Sequence, residues 1–417
     1  MNSPVKARLI FLALSLSLIS LICLAVPAPV ELGSIDANKI SVRQADENSN
    51  YIKIGFYGSL TGSASTLGQM GQLGCRLAVA EINNAGGING KYLRLIEYDD
   101  QTNPKTAATI VRKMIEEDTV DAIIGSHTDG NILSTASLTE QAHVLHLGLG
   151  TSYTWTNAGY KYLFRVTGNS ANYDHTIYSA IKTAGHKRIA IYYCDTLYAT
   201  AGAEELMKKI NADPSMEIVW SMRNQITQTD FTSDFASLKS VNADALILYA
   251  TSENAGIQLS QLREGNYYSK TVYASEAFAN TSTRKDAGSN LYKLTYVCTN
   301  HIPDSPADAY TAKEQAFLES FVKAYGTMPT AETAYRGYDA VMILCEVFRT
   351  AESMDSEDLR SALLHINNYE GIGGYFDYSD GSGDGLTTCR VITVIDPEHI
   401  RILNYFKYII RSDIPNP

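Results

Sequence analysis

Four polar residues, Ser126, His127, Thr128 and Asp129, follow an apolar run that ends at Gly125, and a helix-like pattern begins after them. Such a junction can grip a ligand, because a helix start presents unpaired N–H groups and a partial positive charge. The acid stands out there, since that geometry favours an anion from outside. Polar, glycine-containing stretches of the same kind recur as "GSLTGSAS", "GLGTSYTW", "CDTLYATAG", "YATSENAG" and "ASEAFAN". Reactive chemistry is not encoded. The sequence has no G-x-S-x-G elbow, no H-E-x-x-H and no phosphate loop, and Gly68, Gly71 and Gly74 are wrongly spaced for a dinucleotide fingerprint. His127, His143 and His146 lie close in sequence, but the last two straddle a strand start and do not converge on a metal. The acids of "DYSDGSGDG" are wrongly placed for a calcium loop, and the segment reads as a turn. The expectation is a binding protein with no catalysis, no cofactor and no metal.

The elements that carry these junctions alternate. "IKIGFYG", "YLRLIEY", "VDAIIG" and "VLHLGLG" read as strands with helices between them. Met70, Leu73, Leu77 and Ala80 mark one helical face, and Gly86-Gly87 ends that helix. After "YLFRVTGNSANY" the rhythm restarts with "RIAIYYC", "EIVWS", "ALILYA" and "TVYAS", separated by helices near 199–211, 231–241 and 253–265. Helices at about 307–325, 331–350 and 356–366 follow, then "GGYFDYSDGSGDG" as a strand with a Gly/Asp turn. Alternation at this spacing predicts an α/β fold of two doubly wound parallel-sheet lobes. Ligands of open α/β sheets sit outside the carboxyl ends of the strands, so two facing lobes would make a cleft that closes by hinge motion.

The bulk properties agree. A chain of 417 residues suffices for two domains, and 45% hydrophobic with 19% charged residues is a globular balance. A net charge of -11 argues against nucleic acid as partner. Tyrosine is frequent, with 27 residues, and either fills half-buried positions or lines a cleft. Lys6 and Arg8 precede an apolar run from Leu9 to Val26, so residues 1–28 read as a signal peptide or membrane anchor and 29–50 as a polar tether. The remainder is then extracytoplasmic. Cys23 raises the question of a lipid anchor, but Ile22 stands before it where that motif wants a small residue. Cys75, Cys194, Cys298, Cys345 and Cys389 form no C-x-x-C pair and read as mostly free, buried thiols.

From Tyr51 to about Ile395 the chain resembles the type I periplasmic solute-binding proteins of ABC importers, specifically the branched-chain amino-acid-binding group. The resemblance rests on "IKIGFYGSLTGSASTLGQMGQLGCRLAVAEINNAGGINGKYLRLIEYDDQTNPKTA", "DAIIGSHTDG", "VLHLGLGTSYTWTNAGYKYLFRV", "AYRGYDAVMIL" and "GGYFDYSDGSGD", in the family's order. It implies two lobes joined by three crossings, near 166–171, 297–302 and 350–375. Lobe one would comprise 51–168 plus 300–355, lobe two 169–299 plus 356–400, and 401–417 a tail. It implies capture of a small amino acid or analogue and its delivery to the membrane permease of an importer; the oligomeric state is open, with monomer the default. A sensory module would share the fold.

The resemblance also transfers a site. Asp129 stands where amino-acid binders have a Ser that meets the ligand carboxylate. Ser152 matches a Thr that contacts both ligand ends, with main-chain groups of Gly150 and Thr151 beside it. Tyr198 matches a covering Tyr, and Glu276 matches the acid that pairs with the ligand ammonium. Thr251 and Leu67 replace aromatics. The amine end is therefore present and the carboxylate end altered. Asp129 can cap its own helix and accept N–H bonds that a ligand carboxylate would otherwise receive. The cleft would then suit an amide, a urea-like compound or an amine. Alternatively Asp129 points away and the ligand still uses Ser152, or Thr128 is the true contact. The cysteines that bridge the "DD" loop to the third junction in some members are absent here.

Overall fold

Each of the two strand–helix series builds its own sheet. The computed structural model describes residues 51–396 and 399–407. The first series runs β1 (Tyr51–Gly58), α1 (Ser65–Asn84), β2 (Tyr92–Asp99), α2 (Pro104–Glu116), β3 (Ala122–Gly125), α3 (Asp129–Ala142), β4 (Leu145–Gly148), the short α4 (Tyr153–Thr156) and β5 (Leu163–Arg165). Its five strands are parallel in the order β2-β1-β3-β4-β5. The second series runs α5 (Ser170–Thr183), β6 (Arg188–Cys194), α6 (Leu197–Ala212), β7 (Glu217–Asn224), α7 (Thr232–Leu238), β8 (Ala245–Tyr249), α8 (Ser252–Glu264), β9 (Thr271–Ala274), α9 (Thr281–Ala287) and β10 (Leu294–Cys298). Then come α10 (Ala312–Tyr325), α11 (Thr333–Thr350), α12 (Ser356–Leu364), β11 (Tyr369–Glu370), β12 (Tyr375–Phe376), β13 (Thr388–Asp396) and β14 (His399–Lys407). The second sheet has the order β14-β13-β10-β9-β8-β6-β7, parallel except for the antiparallel β13 and β14 at one edge. Central strands such as "AIIG" and "ALILY" are buried throughout, as expected of strands covered on both faces.

The first core joins Ile52, Ile54 and Phe56 of β1 to Cys75 and Ala78 of α1 and to Val341, Leu344 and Phe348 of α11. The glycines of α1, excluded above as a dinucleotide fingerprint, have a packing role. A Cβ at Gly74 would lie 2.0 Å from the Ala334 carbonyl, and one at Gly68 would lie 2.0 Å from that of Ser59. Gly337 answers from α11, where a Cβ would lie 2.2 Å from the Gly71 carbonyl. The missing side chains let α1 lie directly against α11 and the end of β1.

Two expectations are corrected at the carboxyl end. Residues 356–386 do not join lobe two: Leu359 and Leu363 of α12, then Phe376, Tyr378 and Leu386, are buried in the first core. The apolar face of α12 finds its partner on α11, so the chain returns to the second sheet only at β13, not within 350–375. Residues 401–407 are not tail but strand, paired with β13. The earlier connections bond to one another, the Gly168 N–H donating to the Thr299 hydroxyl at 3.1 Å.

Tyrosine fills the cores rather than the cleft. Tyr57, Tyr173, Tyr192, Tyr249, Tyr296, Tyr335 and Tyr378 are fully buried. Their hydroxyls find partners inside, as when Tyr378 donates to the Arg165 carbonyl at 2.8 Å. Among the described residues Cys75, Cys194 and Cys345 are free, buried thiols, and Cys298 is buried. No described helix is long and apolar enough to cross a membrane. The N-terminal segment expected as signal or anchor, the tether and Cys23 lie outside the described residues.

Candidate functional site

A cleft of about 250 Å³ opens where the junctions of both sheets meet. The first lobe contributes Leu67 from α1, His127, Thr128 and Asp129 from the β3–α3 junction, and Thr151 from the β4–α4 junction. The second contributes Tyr198 from α6, Thr251 and Glu253 at the start of α8, and Glu276 just beyond β9. Glu332, Thr333 and Arg336, at the start of α11, close the floor. Seven of the nine expected residues thus meet in one cleft.

Gly150 and Ser152 do not line it. Gly150 is packed so tightly that a Cβ there would stand 2.3 Å from Asp129 Oδ1. The Ser152 hydroxyl turns inward to cap α4, accepting the Thr154 N–H and lying 3.0 Å from the Thr154 hydroxyl. Arg165 fixes this loop from below. Its guanidinium donates to the carbonyls of Gly150 at 2.9 Å and Ser152 at 2.7 Å, pairs with Asp384 at 2.7 Å, and lies over the Trp155 ring.

Asp129 does not cap its own helix. Thr128 holds the N-cap position of α3, and the Asp129 carboxylate reaches across to the next junction. Its Oδ1 accepts the Ser152 N–H at 2.9 Å and the Trp155 indole N–H at 2.7 Å. The physical reason is proximity: Arg165 turns the loop so that these two donors face α3. Asp129 is also among the residues that line the cleft. Burial raises its pKa, an effect that Arg165 and the two N–H bonds oppose and Glu276 reinforces.

Glu276 has different surroundings. Its Oε1 accepts the Thr151 hydroxyl at 2.8 Å and its Oε2 the Arg336 guanidinium at 2.6 Å. Arg336 also pairs with Glu332 and donates to the Leu149 carbonyl at 2.7 Å. Burial works against the Arg336 charge, but the two carboxylates outweigh it and hold its pKa above the usual arginine value. Burial pushes Glu332 up to about 8, against the pull of Arg336 and with the help of Glu276. His127 is driven down to about 4 by burial and is neutral at pH 7.

Arg336, Glu332 and Glu253 were not among the residues expected. One signal was available for the first two: Glu332 and Arg336 are four apart at the start of a helix whose other positions are mostly apolar, the spacing of an ion pair on one face. No group of His, Cys, Asp and Glu among the described residues is arranged to hold a metal.

A sequence profile of the periplasmic binding protein family matches residues 51–396. The chain belongs to that family. A Leu/Ile/Val-binding protein homolog 7 of Brucella abortus (strain 2308) is 23% identical over 329 residues, which cover 76% of this chain and 81% of that protein. The leucine-, isoleucine-, valine-, threonine-, and alanine-binding protein of Pseudomonas aeruginosa is 24% identical, covering 80% of this chain and 87% of its own. Among solved structures, the branched-chain amino acid transporter substrate binding protein LivJ of Streptococcus pneumoniae, in complex with isoleucine, matches with a TM-score of 0.74 at 23% identity. That match covers 85% of this chain and 99% of LivJ. A solute binding protein of an ABC transporter from R. palustris, in complex with benzoate, matches with a TM-score of 0.76 at 17% identity, covering 87% and 98%. Structural likeness at these identities shows the fold, the two-lobed type I architecture, which serves an amino acid in one neighbour and an aromatic acid in the other.

Proposed function

We propose that this protein is an extracytoplasmic solute-binding protein of an ABC importer, a monomer that captures a small amino-acid-like molecule between its lobes and hands it to a membrane permease. The observation that carries this reading is the cleft itself. Polar groups at the helix starts of both lobes converge on it, and one of them, Glu276 of the second lobe, bonds Thr151 and Arg336 of the first. A solute that touches both walls favours the closed arrangement by its extra contacts there. The amino-acid-binding relatives support the substrate class, and Leu67, Thr128, Asp129, Thr151, Tyr198, Thr251 and Glu276 are the residues we assign to contact or frame the ligand. Gly150 and Ser152 support them from behind. A thermal-shift screen with amino acids, their amides, urea and small amines tests the reading. At least one compound should raise the melting temperature with rising concentration, since binding to the folded state alone stabilises it. Tyr198→Ala should remove the shift. A panel without a single shift would contradict the reading.

A further inference from the structure

The charged groups of the cleft are not alike in what they leave free. Both oxygens of Glu276 are engaged, one by Thr151 and one by Arg336. Among the described residues Asp129 receives both of its hydrogen bonds on Oδ1, and none reaches Oδ2. Two residues away in the same junction, His127 also lines the cleft and is 8% exposed. The junction therefore offers an open carboxylate oxygen that waits for a donor.

Its charge points the same way. Four acids line it, Asp129, Glu253, Glu276 and Glu332, of which Glu332 holds its proton to about 8, and among the described residues they meet one guanidinium, that of Arg336. Arg336 keeps one N–H, on Nε, without a partner, but its charge is already shared by two acids. The Ser152 N–H, the natural donor for an anion at this junction, is taken by Asp129. Buried charges of one sign need an opposite charge or a proton. Leu67, Tyr198, Ile226, Ala250 and Ala277 give the wall an apolar part, set among threonines, serines and asparagines.

Resting on the solute-binding reading above, we propose that the ligand is a primary amine with a short apolar body and no carboxylate, its ammonium held by Asp129 Oδ2. A free amino acid brings a second, negative group next to its ammonium, where acids already crowd and the backbone donor is occupied. The protein's own aspartate holds that donor in its place.

Titration calorimetry of the protein with 3-methylbutylamine, leucine and 3-methylbutanoate separates the charges on one carbon skeleton. The amine should bind one to one and at least about tenfold tighter than leucine, the difference a charge-assisted hydrogen bond makes, and the acid should give no heat. Asp129→Asn keeps an oxygen for the Ser152 and Trp155 N–H groups and removes the charge, so it should weaken the amine by a further factor of about ten or more. Leucine binding as tightly as the amine, or an Asp129→Asn variant that binds the amine unchanged, would overturn the proposal. Leucine binding with a silent amine overturns it and leaves the solute-binding reading intact. Silence of all three also overturns it. The solute-binding reading then stands if another compound of the thermal-shift panel binds and falls with the proposal if none does.

Discussion

Asp129 and Glu276 face the same cleft from opposite lobes, and each begins a helical turn. Glu276 meets a guanidinium and a hydroxyl, and both its oxygens are spent on joining the lobes. Asp129 meets only N–H dipoles from its own lobe and keeps one oxygen open. The difference teaches that two acids in one pocket can divide the work. One is a clamp that the protein neutralises itself. The other is a charge left for something that arrives.

Removing the clamp's cation is the hardest way to break this pairing. Arg336→Met leaves Glu276 and Glu332 buried without a counter-charge and should cost about 3–5 kcal/mol of stability, read by urea unfolding. A loss below about 1 kcal/mol would mean that Arg336 is not the group that neutralises them. Gly150→Ala acts on the other acid. Its Cβ would collide with Asp129 Oδ1 and with Ile132, at 2.3 and 2.8 Å, and should cost about 1–3 kcal/mol while weakening ligand binding. An unchanged melting temperature would show that the carboxylate moves aside freely.

The pH dependence sharpens the comparison. An unfolded glutamate loses its proton near 4.5, whereas folded Glu332 holds it to about 8. Between those values the folded state binds more protons, so stability should fall as pH rises through that window. Glu332→Gln should flatten the slope, a change of about 3 kcal/mol between pH 5 and 8 in paired thermal melts. A steeper slope in the variant would contradict the assignment. The smallest effect is expected from Thr151→Val, which keeps the shape and removes one hydrogen bond from Glu276. About 0.5–1 kcal/mol of stability should be lost, read by urea unfolding.

Much of this was legible in the sequence for identifiable reasons. The strand–helix alternation gave the two lobes, and the polar residues at each junction located the cleft. The short strands β5 and β10 were not singled out, because three to five apolar residues carry no periodicity to distinguish them. The return to the second sheet was placed too early, since the apolar face of α12 does not say which lobe it will meet. Asp129 was recognised as anomalous, yet its partners were assigned to the wrong helix: the Ser152 and Trp155 donors come near only because Arg165 folds their loop. Arg336 went unnoticed because a charge in a helix is ordinarily solvated, whereas here Leu149, Glu276 and Glu332 take it up in the interior.

The division of work between the two acids can be seen directly in a crystal structure of the protein with 3-methylbutylamine. The account predicts the ligand nitrogen about 3 Å from Asp129 Oδ2, with the Glu276–Arg336 pair intact. A nitrogen seated on Glu276, with Arg336 displaced from it, would contradict the account.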